Sequence, residues 1–477
     1  MGSAVRTNIL FITADDLDAK TVGAFGGPLG ITPSLDALAR EGMTLHGAHV
    51  VTAVCQPSRS AIMTGKLPHR NGAEGFQPIA DGVTLLTDPL REAGYRVGIL
   101  GKVNHLEPVE RFHWDTAKGM SELGMGRDPG AYGREATKFI RAAAADGQPW
   151  FLMANAHDPH RPFHGSVQEL QKFGAEVVAT IPVPSETYAA DAHPVPGFLP
   201  DLPDVRTEYA QYLASARRCD DVVAALLAAL DESGQAQDTI VVFLSDNGMA
   251  FPFAKANCYL QSTLTPFIVR WPGQIVAGSA DEVSLVTMLD LFPTFCEAAG
   301  VTCPADVDGR SLGPVIRGTP SGERAVVTVF HETSAKLRFE MRCVQDARHG
   351  YIWNHWSDGT TEYAAENMEG LSWNAMVDAA KSDPAIAARA KFYTYRAPEE
   401  LYDLESDPNS LNDLAGSNSS AEVLASMRAH LASWMDSHGD PLRDAYREHR
   451  ASITEQVSRR ACSGRLGSSP TPTVRRH

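Results

Sequence analysis

The sequence predicts an α/β protein in which a large, mostly parallel sheet is flanked by helices and followed by a smaller C-terminal α+β domain. Two observations predict this architecture. Through the first two-thirds of the 477 residues, short apolar runs of strand length alternate with longer segments of helix length, as in a parallel sheet with crossover helices. After about residue 325, strand-like runs follow one another through turns, which is typical of an antiparallel sheet.

The first element is the apolar run NILFITA at residues 8–14, which suits a strand buried on both faces. Residues 32–42 then predict a helix, because Thr32 can cap it, Pro33 fits its first turn and Gly42 can end it. The same reasoning predicts a long amphipathic helix at 205–234 and further buried strands at 97–101, 149–156, 238–248 and 265–273.

The C-terminal third has a different pattern of predicted strands and helices. The strand-like runs AVVTVFHE, EMRCVQD and HGYIWNHW precede a helix at 420–436. We therefore predict a catalytic α/β domain at residues 1–325 and an α+β domain with an antiparallel sheet at 326–455. The last residues, 456–477, are rich in Ser, Pro, Gly and Arg and predict a loosely attached tail.

Composition excludes several classes of function. A net charge of −16 and a sequence pI near 5.4 argue against nucleic acid and anionic membranes as partners. No apolar run approaches the roughly 18–20 residues that a membrane span needs. The N-terminal run ends in two aspartates and does not resemble a signal peptide, so a cytoplasmic location is expected. The seven cysteines are scattered and predict reduced thiols.

Chemically active residues follow five of the predicted strands. Ligands of open α/β sheets bind outside the carboxyl ends of the strands, so these residues are expected to converge on one edge. They are Asp15 and Asp16 after the first strand, Cys55 after the strand-like run LHGAHVVTA at 45–53, Lys102 and His105 after 97–101, His157, His160 and Arg161 after 149–156, and Asp246, Asn247 and Lys255 after the apolar run at 239–245.

Part of this set suits a hard divalent cation. Asp15, Asp16, Asp246 and Asn247 offer three carboxylates and an amide oxygen, the ligand types that Ca²⁺ and Mg²⁺ prefer. A lone Asp-Asp pair is more often a turn or a cap, but two pairs at one sheet edge favour a metal. The histidines lack the spacing of zinc motifs, so zinc is not expected.

The remaining residues suit an anionic substrate. Cys55 precedes a predicted helix at 57–65, where free N–H groups and the helix dipole favour an anion or a nucleophile. Arg59, Lys102 and Lys255 add positive charge. A divalent cation, three basic side chains and a nucleophile position together suit a tetrahedral sulfate or phosphate ester, with a histidine as proton donor.

At this point the sequence resembles a known family. CQPSRSAIMTGK at residues 55–66 matches the sulfatase signature C-x-P-S-R-x-x-x-L/M-T-G-R/K. The resemblance implies the alkaline-phosphatase-like sulfatase fold, a bound Ca²⁺ and oxidation of Cys55 to formylglycine by a maturation enzyme. In that family the aldehyde hydrate supplies a hydroxyl nucleophile that is also a metal ligand, and its second hydroxyl later expels the sulfate.

Two further stretches, NAHDPHRPF at 155–163 and SDNGMAFPFAKANCY at 245–259, resemble the sulfamidase branch of the family. N-sulfoglucosamine is therefore the first candidate substrate. Two departures leave substrate identity open: Lys102 and His105 stand three residues apart rather than two, and Lys255 replaces an arginine.

The resemblance also implies a role for each matched position. Arg59 would steady the aldehyde hydrate, His105 would hydrogen-bond it, and His157 would protonate the leaving atom. Lys102 and Lys255 would hold sulfate oxygens. The metal would be held by Asp15, Asp16, Asp246 and Asn247 with the modified Cys55.

Several alternatives stay open at this stage. The chain could be an arylsulfatase, or a phosphate or phosphonate monoester hydrolase of the same superfamily, and a non-catalytic binding protein is the third alternative. An acidic shell around a basic pocket predicts a small sulfated substrate or a short saccharide end. His160 and Arg161 would lie nearest the sugar, unless they only hold the turn together. The oligomeric state is open, with a homodimer among the options.

Overall fold

The computed structural model describes residues 6–322 and 324–453. Its strands are β1 Asn8–Ala14, β2 Met43–His49, β3 Arg96–Leu100, β4 Thr116–Lys118, β5 Trp150–Asn155, β6 Thr239–Ser245, β7 Phe267–Arg270, β8 Ser279–Thr287, β9 Val326–Glu332, β10 Arg338–Gln345, β11 His349–Asn354 and β12 Glu399–Asp403. Its α-helices are α1 Pro33–Glu41, α2 Cys55–Thr64, α3 Pro68–Asn71, α4 Thr87–Glu92, α5 Pro129–Asp146, α6 Val167–Val178, α7 Pro203–Glu232, α8 Leu260–Thr263, α9 Leu291–Ala299, α10 Gly313–Ile316, α11 Leu371–Ala379, α12 Pro384–Tyr395 and α13 Ala421–His438.

Eight strands form one large sheet in the order β4-β3-β5-β1-β6-β7-β2-β8. All neighbouring pairs run parallel except those of β7, which is antiparallel to both β6 and β2. A mostly parallel sheet is therefore confirmed. Two of its strands, β4 and β8, were not predicted, because β4 is only three residues long and β8 is largely polar on its exposed positions.

The central strand β1 shows why this sheet lies inside the molecule. Successive side chains of a strand point to opposite faces. Leu10 and Ile12 pack into the core on one face, together with residues of α5 and α7. Ile9 and Phe11 pack into the core on the other face, together with residues of α2 and α9. Both faces are thus covered, which accounts for the uninterrupted apolar sequence.

The predicted helices are found with small shifts. α1 begins at Pro33, but the Thr32 hydroxyl does not cap it and instead accepts the Gly23 N–H at 3.2 Å. α2 begins at Cys55 itself, two residues before the predicted start. This shift places the cysteine inside the first helical turn.

The smaller sheet is antiparallel, in the order β12-β11-β10-β9, which confirms the predicted C-terminal architecture. The sequence reading missed two helices, α11 and α12, that precede its last strand. Both sheets lie in a compact unit that ends at Ser420, and Ala421 begins another. A domain division between residues 325 and 326 therefore stays a prediction, and the predicted tail at 456–477 lies outside the described residues.

Among the helices of the described residues, none is both long enough and apolar enough to cross a membrane.

The edge of the large sheet that matters for function is the one where β3, β5, β1 and β6 end side by side, because each of these strands is parallel to its neighbour. The residues that follow these strands are brought together there.

Candidate active site

Cys55 lies at the start of α2 and is almost completely buried. Its thiol donates to Asp15 Oδ1 at 3.2 Å and accepts from Lys255 Nζ at 3.1 Å. Burial and then the charge of Asp15 raise the pKa of the thiol well above its usual value, and the Lys255 charge only partly opposes them.

An acidic cluster lies beside Cys55. Carboxylate oxygens of Asp15, Asp16 and Asp246 all lie within 4.8 Å of one another. Asp16 Oδ2 and Asn247 Oδ1 are buried without a hydrogen-bond partner. Orphaned buried oxygens are costly unless a donor or a cation satisfies them, so these four residues fit a hard divalent cation such as Ca²⁺ or Mg²⁺.

Local backbone geometry supports this cluster. Asp16 has φ of 69°, a left-handed conformation that is uncommon for residues other than glycine. Gly248 follows Asn247, and a Cβ at this glycine would fall 1.9 Å from the Gln261 carbonyl oxygen. Only glycine fits so close to that backbone, which explains the glycine after the Asp246-Asn247 pair.

Each carboxylate of the cluster is paired with at least one cation. Lys102 pairs with Asp15, Lys255 Nζ lies 2.7 Å from Asp16 Oδ1, and an Arg59 nitrogen lies 2.7 Å from Asp246 Oδ2. When all six groups are ionised, the three negative and three positive charges therefore cancel.

The pairing affects the two neighbouring aspartates differently. Burial alone would raise the pKa of Asp15, but Lys102 and the other nearby cations hold it well below its usual range. The pKa of Asp16 is raised to about 7, because burial outweighs the opposing charge of Lys255 and the negative charges of Asp15 and Asp246 add to it. A bound cation would relieve this unfavourable charging.

Arg59 is fixed by two residues that the sequence reasoning missed. Its guanidinium donates to Thr13 Oγ1 at 2.8 Å and to Asn155 Oδ1 at 2.6 Å. Thr13 and Asn155 are register partners near the ends of β1 and β5. A polar residue at the end of an otherwise apolar strand was the available signal, since such a residue is buried at the sheet edge and needs a partner.

The three predicted site histidines, His105, His157 and His160, are not equivalent, and His160 is the one that is grouped with the cysteine. A ring nitrogen of His160 lies within 4.8 Å of both the Cys55 sulfur and an Asp15 carboxylate oxygen. The His157 ring packs against it, with centroids 4.8 Å apart, and has no described contact with Cys55. Burial and nearby cations, first Lys102 for His157 and Lys255 for His160, lower the pKa of both rings well below the usual value.

His105 lies at the rim. Its half-buried ring is 6.5 Å from the Phe76 ring, and no side-chain hydrogen bond of His105 is found among the described residues. Burial and the Lys102 charge lower its pKa to about 3. The structure therefore brings His105 near the cations of the site but not into contact with Cys55.

Buried ion pairs of Asp158 hold the loop that carries His157 and His160. Asp158 accepts from Arg127 Nε at 3.0 Å and from Arg218 Nε at 2.6 Å. Arg127 also donates to the His160 carbonyl at 3.0 Å. The Asp158 carbonyl accepts the Asp15 N–H at 3.3 Å, which joins this loop to the acidic cluster.

Arg161 does not reach the site. Its guanidinium pairs with Glu208, donates to the Ala250 carbonyl at 2.7–3.0 Å and lies over the rings of Phe163 and Phe251. All its donors are directed into the protein. The alternative interpretation, a turn held together after the strand, fits Arg161, whereas His160 belongs to the site.

The Lys255 loop is supported by the C-terminal region. The Ala256 N–H donates to the Ala53 carbonyl at 2.9 Å, which joins the loop to the segment before Cys55. The side chains of Asn257 and Asn367 both donate to the Lys255 carbonyl. Residues far along the chain thus orient Lys255, and local sequence could not reveal them.

This fold and site define the class of protein. A sulfatase family model matches residues 7–301, and a second model, described as N-sulphoglucosamine sulphohydrolase, C-terminal, matches residues 250–357. The chain belongs to the sulfatase family. It is therefore a hydrolase of the sulfate ester or sulfamate class, in a family that is generally metal-dependent.

One curated relative and two solved structures are similar to this chain. The chain is 30% identical to N-sulphoglucosamine sulphohydrolase of Homo sapiens, over 91% of each chain. A structure solved in complex with its substrate D-glucosamine-2-N,6-O-disulfate superposes with a TM-score of 0.68 at 19% identity, covering 92% of this chain and 99% of the other. The phosphonate monoester hydrolase of Silicibacter pomeroyi superposes with a TM-score of 0.63 at 20% identity, covering 91% and 96%.

Proposed function

We propose that this chain hydrolyses sulfate from a small sulfated sugar, and that the N–S bond of a terminal N-sulfoglucosamine is the first candidate. One observation carries the proposal: three carboxylates and three cations surround Cys55 with their charges cancelled. The human relative, named as an N-sulphoglucosamine sulphohydrolase, supports the choice of substrate.

The charge balance explains why a metal and an anion would bind together. A divalent cation held by Asp15, Asp16, Asp246 and Asn247 adds two positive charges to a site whose side-chain charges cancel. An oxyanion entering this buried site is then attracted by the metal and by Arg59, Lys102 and Lys255. Ca²⁺ is the first candidate, since the ligands are all hard oxygens and the site is rich in carboxylates, and Mg²⁺ is the alternative.

Conversion of Cys55 to formylglycine by a maturation enzyme is part of the proposal. When present, that group supplies a hydrated aldehyde whose hydroxyl is a nucleophile and a metal ligand. The raised pKa of the unmodified thiol supports the need for conversion. A protonated thiol buried beside carboxylates is a poor nucleophile, because the thiolate is the reactive form.

The chain's own residues then position the substrate and move protons. Lys102 and Lys255 would hold sulfate oxygens, and Arg59, fixed by Thr13 and Asn155, would stabilise negative charge near residue 55. His160 is the better placed proton donor to the leaving nitrogen or oxygen, with His157 packed against it. A bound sulfate places negative charge beside His160 and so favours its protonated form.

The size of the substrate is inferred from charge. The chain carries a net charge of −16, so a long sulfated polymer meets repulsion from most of the surface. A small sulfated sugar or the end of a short saccharide is affected mainly by the pocket. We therefore expect exo-acting hydrolysis rather than cleavage at internal positions.

The test uses the chain produced together with a formylglycine-generating enzyme and measures release of sulfate from the sulfated substrates and release of phenol from the phosphonate. The substrates are N-sulfoglucosamine, glucosamine 6-sulfate, an aryl sulfate, a matched phenyl phosphonate and intact heparin, at one moderate salt concentration. Cys55→Ser serves as the inactive control and Cys219→Ser, in buried α7, as the matched control.

We expect N-sulfoglucosamine to have the highest kcat/KM. Preference for glucosamine 6-sulfate would contradict the sulfamate assignment but leave sulfate hydrolysis intact. Fastest turnover of the phosphonate would contradict sulfate hydrolysis itself. Fastest release from internal positions of heparin would contradict the size argument.

A further inference from the structure

The loop that carries Lys255 has an unfavourable backbone conformation on both sides of the lysine. Phe253 and Ala256 have φ of 66° and 60°, left-handed values that are uncommon for residues other than glycine. Both residues are completely buried. Such backbone persists only where the surrounding structure holds it, so contacts from other parts of the chain must fix the position of Lys255.

Asn257 provides one of these contacts. Its Nδ2 group donates to the Lys255 carbonyl at 3.0 Å and to the Tyr393 hydroxyl at 3.1 Å. Its Oδ1 accepts a hydrogen bond from Nη2 of Arg396. A guanidinium group can only donate hydrogen bonds, so Arg396 requires Oδ1 on its own side and thereby directs Nδ2 toward the Lys255 carbonyl. The orientation of this amide therefore depends on Arg396.

Arg396 is buried at the end of helix α12 and is itself fixed by several groups. Its Nε donates to the Tyr393 carbonyl at 3.0 Å, and its Nη1 donates to the Tyr259 hydroxyl. That hydroxyl donates in turn to Glu400 Oε2 at 2.8 Å, which links the guanidinium to a buried carboxylate of β12. The planar donor fork of arginine thus serves three acceptors, a pattern that the single ammonium group of lysine does not reproduce.

We propose that Arg396 is a positioning residue for the reaction: through Asn257 it holds the backbone of Lys255 so that the lysine ammonium group reaches both Cys55 and Asp16. The inference rests on the proposed function, in which Lys255 holds a sulfate oxygen. Lys255 Nζ lies 3.1 Å from the Cys55 sulfur and 2.7 Å from Asp16 Oδ1. A shift of the loop backbone would therefore take the ammonium group away from both partners.

The first test is a double-mutant cycle on the full chain with formylglycine installed, and 4-nitrophenyl sulfate is the substrate. Arg396→Gln should lower kcat/KM by about 10- to 100-fold, the usual cost of misplacing a group at the reacting atoms by about 1 Å. In the Lys255→Met background the same substitution should change kcat/KM by less than about twofold, because no ammonium group remains to be positioned.

The kinetic constants also separate positioning from loss of folded protein. Arg396→Gln should raise KM, because Lys255 no longer holds the sulfate in its place. A smaller folded fraction would lower kcat and leave KM unchanged. An equal loss of kcat/KM in the wild-type and Lys255→Met backgrounds would overturn the proposal.

The second test needs no turnover and so separates this inference from the proposed function. The Lys255 N–H donates to the Met249 carbonyl at 3.0 Å, and the Ala256 N–H donates to the Ala53 carbonyl at 2.9 Å. In Arg396→Gln, amide exchange at Lys255 and Ala256 should quicken by about tenfold or more, because the loop opens locally. Exchange at Phe11 in the central strand should stay as in the wild type.

Unchanged exchange at Lys255 and Ala256 would overturn the proposal, whether or not the chain releases sulfate. Absence of sulfate release by the wild type would instead contradict the proposed function. The two failures are therefore distinguishable.

Two more variants complete the experiment. Asn257→Asp still accepts from Arg396 but cannot donate to the Lys255 carbonyl, so it should reproduce both effects while the buried arginine keeps a partner. Arg270→Gln is the matched control: it removes another buried arginine, which is the register partner of Val241 near the start of β6, whereas the site follows the end of that strand. It should behave like the wild type. Wild-type kinetics and exchange in Asn257→Asp would overturn the proposal.

Discussion

Lys255 and Cys55 are in direct contact although 200 positions separate them: Lys255 Nζ donates to the cysteine sulfur at 3.1 Å. The same ammonium group lies 2.7 Å from Asp16 Oδ1. We therefore expect Lys255→Met to lower kcat/KM for sulfate release by about 100- to 1,000-fold, the usual cost of losing one preorganised charge at a reacting oxyanion. Lys255→Arg should retain most of this activity.

Steady-state kinetics with an aryl sulfate measures this effect, and Lys138→Met, on the exposed face of α5, is the control. The thermal unfolding of Lys255→Met is measured alongside, because it leaves Asp16 without its partner. Equal activity of the wild type and a folded Lys255→Met variant would contradict the assignment.

His160 and His157 can be separated by the leaving group. A proton donor matters most when the leaving group is a poor one, such as a sugar alkoxide or amine, and least for a nitrophenolate. We expect His160→Gln to lower kcat about 100-fold or more for a sugar sulfate and far less for 4-nitrophenyl sulfate. His157→Gln should reduce both rates by a similar factor. The reverse pattern would support His157 as the donor, the role that the sequence resemblance implies.

Metal removal should abolish turnover without unfolding the chain. Dialysis against a chelator should remove activity, and Ca²⁺ should restore it better than Zn²⁺, because the ligands are hard oxygens. Added Ca²⁺ should also raise the midpoint of thermal unfolding by mass action. In Asp246→Asn, Ca²⁺ should neither restore activity nor raise the midpoint of unfolding. In Asp358→Asn, at an exposed turn, Ca²⁺ should still do both. Full activity after exhaustive chelation would refute the metal site.

Stability should depend on pH through His49, a buried residue whose Nδ1 lies 3.0 Å from Thr263 Oγ1. Burial lowers its pKa to about 4, so the unfolded chain binds the proton more readily. The stability that neutral His49 contributes is complete above pH 6.5, which is the pKa of this histidine in the unfolded chain. It is lost as the pH falls toward 4, the pKa of His49 in the folded chain. The free energy of unfolding should fall by about 3 kcal/mol from this residue alone.

Denaturant titrations between these pH values measure the effect. In His49→Gln the part of the pH-dependent loss of unfolding free energy that is due to His49 should disappear. Substitution of the exposed His113 should leave this loss unchanged. An identical pH dependence in wild type and His49→Gln would disprove the assignment.

The sheet and much of the site could be predicted because their signals are local. Buried parallel strands are continuous apolar runs, and their carboxyl ends meet at one edge, so Asp15, Lys102, His157 and Asp246 were expected to converge. The motif around Cys55 added a specific chemistry. Short or polar strands such as β4 and β8 escaped detection, because they carry little apolar periodicity.

The parts that could not be predicted depend on contacts distant in sequence. Arg127 and Arg218 hold Asp158, which lies between His157 and His160, and no pattern within the histidine loop encodes these two partners. The placement of Lys255 depends on Asn367, more than a hundred residues later. Arg161 carries the charge expected of a site residue, but its pairing with Glu208 directs it elsewhere.

The most direct test of the account is the mass of the tryptic peptide that ends at Arg59 and carries Cys55, measured across preparations of different activity. The chain is produced with increasing amounts of a formylglycine-generating enzyme, and sulfate release is measured on each preparation. We predict that the cysteine sulfur is replaced by an aldehyde oxygen and that activity rises in proportion to the converted fraction. Full activity in a preparation whose peptide contains only unmodified cysteine would contradict the account.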